Sequence, residues 1–158
     1  MMPKNYMLRF MGLMLWIMAS QFAPAQNPAK PVKFKIPVVK TYLGSDTGTN
    51  TKISVEEGKQ IIGLPLKVID AKNNIYPVTS YQFSYTRLGI KEDDSTGETT
   101  PESDMVADRF EDTPLSKIWV STIQDELHSG EELYFFDIVV KDKDGHIFFA
   151  PNLKLLVQ

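Results

Sequence analysis

The chain has 158 residues, 17 basic and 20 acidic side chains, a net charge of −3, and no cysteine. Without cysteine a disulfide scaffold and a lipid-modified N-terminal cysteine are both excluded. The acidic balance argues against nucleic acid and anionic membrane surfaces as partners, because both need a basic patch.

Residues 1–25 read as a cleaved signal peptide. Lys4 and Arg9 make a positive start, Phe10 to Ala19 is an uncharged apolar run, and Ala23-Pro24-Ala25 offers small residues to a signal peptidase. The run falls short of the roughly 20 apolar residues that span a bilayer, so no stable membrane insertion is expected after cleavage. Cleavage before Gln26 leaves 133 residues with 15 basic and 20 acidic side chains, net −5. That length suits one domain whose core buries about two-thirds of the unfolded surface.

Residues 26–31, with Pro28 and Pro31, form an extended mobile leader. From Val32 the pattern predicts a strand, with Phe34, Ile36 and Val38 on its apolar face and Pro37 marking an edge position. Gly44–Thr51 is a loop by composition, and Gln60–Ile69 is a second strand interrupted by Gly63 and Pro65. A turn at Asp70–Asn74 leads into a strand over Ile75–Arg87, with Tyr81, Phe83 and Tyr85 on one face.

Residues 92–104 are strongly acidic and lack large apolar side chains, which predicts a mobile surface loop. Met105–Phe110 is a short returning strand. One helix is expected over 114–128, with Thr113 as N-cap, Pro114 in the first turn, and Leu115, Ile118, Trp119, Ile123 and Leu127 near helical spacing. A β-hairpin closes the chain over Glu131–Lys141 and His146–Val157. Asp144-Gly145 is its expected two-residue turn, both residues at positive φ, and Tyr134, Phe136, Ile138 and Val140 share one face.

Little here carries catalytic chemistry. His128 and His146 have no second histidine or cysteine at metal-binding spacing, and there is no nucleophile elbow or glycine-rich phosphate loop. Asp142-Lys143-Asp144-Gly145 begins like a calcium loop but lacks the later oxygen ligands, so a hairpin turn is the better reading. No catalytic residue, cofactor or metal is assigned. The aromatic crowd is more informative. Neighbours on a strand face opposite ways, so Phe135 and Phe136, like Phe148 and Phe149, split between two faces. One set fills the core, and the other meets a second layer, a partner or solvent.

The run Ser129-Gly130-Glu131-Glu132-Leu133-Tyr134-Phe135-Phe136-Asp137-Ile138, followed by Lys141-Asp142-Lys143-Asp144-Gly145, resembles the C-terminal domain of the GldM/PorM family. Pro151 and Leu153–Val157 match that family's proline and final apolar strand. Ile36-Pro37-Val38 with Gly44 resembles its opening strand and turn, and Val78, Ser80, Tyr81 and Phe83 its central strand. The likeness is specific in the last 30 residues and looser over 34–128. Family proteins carry a membrane anchor and several periplasmic domains, where this chain offers a signal peptide, one domain and an apparent insertion at 92–104.

The expected fold is therefore mainly β, a β-sandwich-like single domain over 32–158 with one short helix and a C-terminal hairpin. What the resemblance implies is an exported, periplasmic, non-enzymatic accessory of type IX secretion or gliding machinery. Such a protein would meet envelope proteins through the hairpin and the edge strand, with a homodimer among its assemblies. Tyr134, Phe136, Asp144 and Phe148 are the candidate partner-binding residues. A general envelope binding module and a calcium-dependent carbohydrate binder are the alternatives.

Overall fold

Ten strands and two helices lie among the residues that the computed structural model describes, 34–92 and 94–158. In chain order they are β1 (Val39–Leu43), β2 (Asp46–Thr47), β3 (Thr51–Ile53), α1 (Val55–Ile61), β4 (Leu66–Asp70), β5 (Ile75–Tyr76), β6 (Val78–Glu92), β7 (Thr99–Phe110), α2 (Lys117–Glu126), β8 (Glu132–Lys141), β9 (Ile147–Phe149) and β10 (Leu153–Val157). The signal peptide at 1–25 and the leader at 26–31 lie outside the described residues.

The strands form two sheets. The smaller is antiparallel in the order β2-β1-β4-β5, and the larger runs β3-β10-β8-β6-β7, with β9 also paired to β8. Val39, Leu43, Leu66 and Val68 of the small sheet share one core with Tyr81, Phe83, Tyr85, Leu133, Phe135, Ile138, Val140, Leu153 and Leu155 of the large one. The chain is mainly β, as its alternating patterns imply.

Several elements depart from expectation, each for a physical reason. The segment Phe34–Val38 is not a strand, and Ile36 and Val38 are exposed. Pairing starts at Val39 and buries Val39, Thr41 and Leu43, the opposite set of side chains. Both edges of β1 are taken, by β2 and β4. Gly44–Thr51 holds β2 and the start of β3 as well as turns at Gly44 and Gly48, both at positive φ.

Between β3 and β4 lies a second helix, α1. Ser54 caps it by accepting a hydrogen bond from the Glu57 amide at 3.1 Å, Glu56 and Glu57 fill the first turn, and Lys59 lies in the last. Ser54-x-x-Glu57 is a capping-box sequence that a strand reading of Gln60–Ile69 overlooks. The strand begins at Leu66, after the Gly63-Leu64-Pro65 turn.

The acidic stretch is not a loop. From Thr99 to Phe110 each residue of β7 pairs with one on β6, from Glu92↔Thr99 to Tyr81↔Phe110. Only Asp94–Glu98, with Gly97 at positive φ, turns at the tip of this described ribbon. The pairing is carried by backbone hydrogen bonds between Thr- and Ser-bearing strands and needs no apolar burial.

The later helix is shorter than 114–128, and Ser116 is its N-cap. Thr113 serves elsewhere: its Oγ1 accepts the Leu66 amide at 2.7 Å, tying the helix approach to β4. Leu115, Ile123 and Leu127 are buried and Trp119 packs edge-on against Phe83 and Phe110, but Ile118 is left exposed.

In β8, Asp137 sits at φ 48 and interrupts the register with β6. This bulge adds one residue, so the alternation changes phase. Leu133 and Phe135 face inward before it, and Ile138 and Val140 after it. Tyr134 and Phe136 therefore do not share a face with Ile138 and Val140. The hairpin turn is also wider than two residues. The Gly145 amide donates to the Asp142 carbonyl, the Asp142 amide to the His146 carbonyl, and Gly145 alone takes positive φ. This is a type I turn with a glycine bulge.

Candidate functional site

Glu131, just before β8, explains one part of the Gly130-Glu131 motif. Its side chain is 3 % exposed, yet both oxygens are used. Oε2 accepts from the Tyr85 hydroxyl at 2.5 Å and the His128 amide at 2.9 Å, and Oε1 from the Leu88 amide at 3.3 Å. Burial first, then the hydrogen bond to this carboxylate, pushes the Tyr85 hydroxyl well above the ordinary tyrosine range. Tyr85 thus stays a neutral phenol, and the motif fixes β8 against β6. Gly130 is needed for two reasons: its φ is +93, and a Cβ there would lie 2.7 Å from Leu88 Cδ1.

With β8 so held, Tyr134 and Phe136 project from the outer face of the large sheet, both half-buried. Their rings stack at 5.0 Å with planes 14° apart. Asn152 Nδ2 donates to the Tyr134 hydroxyl at 2.8 Å. Lys154 Nζ lies 5.9 Å from the Tyr134 ring centre and pairs with Glu132 at 2.7 Å. Cross-strand, Ser84 pairs with Tyr134 and Gln82 with Phe136, and the small Ser84 is itself buried there. Gln82 Nε2 donates to the bulge carboxylate of Asp137 at 2.6 Å. The result is a rigid aromatic pair edged by polar groups on the most central strand.

The other two candidates do not join it. Phe148 is 4 % exposed and packs edge-on against Tyr76 at 5.5 Å, so it belongs to the core, and its neighbour Phe149 is the exposed ring. Asp144 is exposed in the turn beyond Lys141, at the far end of β8 from Tyr134. Seven residues of strand separate Tyr134 from Lys141, roughly 23 Å.

Asp144 belongs to a different group. Asp142, Asp144 and His146 can each bring one ligand atom within 4.8 Å of the others. Asp142 is already engaged as the organiser of its turn, accepting from the Asp144 amide, the His146 amide and His146 Nδ1, each at 2.8 Å. These bonds hold its carboxyl below the usual range despite partial burial.

Two clefts flank the large sheet. One, of about 250 Å³, lies between Ser80, Gln82, Arg109, Asp137, Val139 and Phe149. The other, of about 280 Å³, is a mostly apolar groove between α2 and the ribbon, lined by Tyr85, Arg87, Val106, Ile118, Trp119 and Thr122. Arg87 closes its end by bridging Asp104 on β7 and Glu126 on α2. Neither is visible in sequence, because each depends on how the returning strand over Met105–Phe110 pairs with β6 and meets α2 or β8. Ile118, which helical spacing groups with Leu115 and Trp119, is instead exposed at this groove.

Comparison with protein-family models gives no match for this chain, and comparison with curated proteins gives none either. Among the described residues no helix is long and apolar enough to cross a membrane.

Proposed function

We propose that this chain is an exported, non-catalytic binding module of the cell envelope, acting in the periplasm as an accessory of type IX secretion or gliding machinery. The observation that carries the binding role is the stacked Tyr134–Phe136 pair on the solvent side of β8. Rigid aromatic rings with polar neighbours are what protein interfaces enrich at their centres, since they offer large contact area at little entropic cost. The link to secretion rests on the GldM/PorM-like run, whose residues supply the buried Glu131 clamp, β8 and the Asp142–His146 turn.

The test is a pull-down from the native envelope using a tag after Gln158, read by mass spectrometry. Secretion or gliding components should be recovered, and lost with Phe136→Ala while the circular dichroism spectrum is kept. Recovery of no such component, from a cell that has the machinery, would remove the secretion role. Phe148→Ala is a poor probe because it opens a core cavity.

A second reading, a calcium-dependent carbohydrate binder, is favoured only by the grouping of Asp142, Asp144 and His146. A melting temperature unmoved by millimolar calcium would dismiss it.

A further inference from the structure

We propose that the open edge of β7 is occupied by the segment around Lys35–Val38 of a second copy of this chain. The idea deepens the interaction role above by naming one partner, and it uses a different surface from the Tyr134–Phe136 pair.

The acceptor is unusual. β7 is twelve residues long and is the last strand of its sheet, so along one side its backbone donors and acceptors have no strand partner among the described residues. Long open edges are templates for strand addition, and proteins restrict which strand may add by placing charge and proline along them. Here Pro101, Glu102, Asp104 and Asp108 do so. Residues 92–112 hold nine acidic side chains against one basic, a net of −8. Everything else after residue 25 holds fourteen basic and eleven acidic, a net of +3. Such an edge rejects acidic strands and draws basic ones. Beside it runs the apolar groove, with Val106 of β7 on its floor and Ile118 73 % exposed on its wall.

The donor lies in the same chain. Residues 30–40 carry four lysines and no acidic residue. Val32-Lys33-Phe34-Lys35-Ile36 alternates apolar and basic side chains as a strand does. Lys35–Val38 lie outside both sheets of their own fold, with Ile36 and Val38 59 % and 88 % exposed. Pro37 does not forbid pairing. Alternate residues of a strand direct their N–H groups to opposite sides, so bonding through Ile36 and Val38 leaves Pro37 on the open side. Donor and acceptor are different surfaces, so two copies can exchange segments reciprocally or add head to tail.

The test is sedimentation of the protein recovered from the envelope of its producing cell, with its N-terminus read by intact mass. Association should rise with concentration and weaken about tenfold or more as salt is raised. Lys33→Glu with Lys35→Glu should abolish it, as should Glu102→Lys with Asp108→Lys, where Lys35, Glu102 and Asp108 are exposed. A mixture of the two double variants should associate again, because each restores the charge match the other lost. A monomer at every concentration in low salt, or association indifferent to both variants, would overturn the proposal. A monomer that still captures envelope partners through Phe136 would leave the accessory role standing. Self-association without envelope partners would remove that role alone.

Discussion

Glu131 is the residue whose loss should be felt most. Removing its side chain strands the buried Tyr85 hydroxyl and takes the acceptor from the part-buried amides of His128 and Leu88. A buried unsatisfied group costs about 1–3 kcal/mol, so Glu131→Ala is expected to destabilise by about that much in urea unfolding. Combined with Tyr85→Phe the effect should be less than additive, because the two side chains share one bond. Asp70 makes a separate, titratable contribution. The Asn74 side chain foremost, then the Asn74 and Lys72 amides, hold its carboxyl at about 2 against an ordinary 3.8. Because the folded value is the lower one, the stabilisation is fully present above about pH 4 and is lost as pH falls through about 2. A carboxyl titration by NMR should find that low midpoint, and Asn74→Ala should bring it back towards 3.8.

At the scale of elements, the contact between the two helices turns on Gly58. Alanine usually stabilises a helix by about 1 kcal/mol over glycine. Here an added Cβ would lie 2.6 Å from Leu127 Cδ2 and 3.3 Å from Ile53 Cδ1, both on buried side chains. Overpacking costs about 1–3 kcal/mol, so Gly58→Ala should lower the melting temperature. The β6–β7 ribbon gives a second test. If Thr99–Met105 is paired as described, hydrogen exchange there should be measurably slowed, though faster than in the doubly paired β8. Exchange at the free-peptide rate would restore the loop reading. These elements also show what the sequence makes legible. Tyr81, Phe83 and Tyr85 announce β6, because strict alternation has one physical meaning when one face is buried. Leu115, Ile118, Trp119, Ile123 and Leu127 point to a helix at α2, although Ile118 proves exposed and the β-formers over 118–123 also suit a strand. The bulge at Asp137 does not announce itself: alternation continues by eye through β8 while the faces exchange, which is why Phe136 was grouped with Ile138. The ribbon is silent for another reason, since backbone pairing leaves no apolar pattern to read. Of the candidate contact residues, Tyr134 and Phe136 lie on the face opposite Ile138 and Val140, with which alternation groups them, and Phe148 lies in the core.

For the molecule as a whole, the final strand is decisive. β10 lies between β3, which it meets in parallel at Thr51↔Leu155, and β8, which it meets antiparallel at Leu153↔Phe135. Leu153, Leu155 and Val157 are all buried. Burial of such side chains is worth about 1.5–3 kcal/mol each, against a total stability of about 5–15 kcal/mol for a domain. Deleting residues 153–158 should therefore abolish the cooperative thermal transition, because β3 and β8 both lose a neighbour. The same placement sets an order of events in time. A chain delivered from its N-terminus holds β3 apart from β8 until residues 153–157 arrive, because β10 is the strand that joins them. Until then the residues before it lack the strand that closes their sheet, so the arrival of β10 is the step that locks the fold.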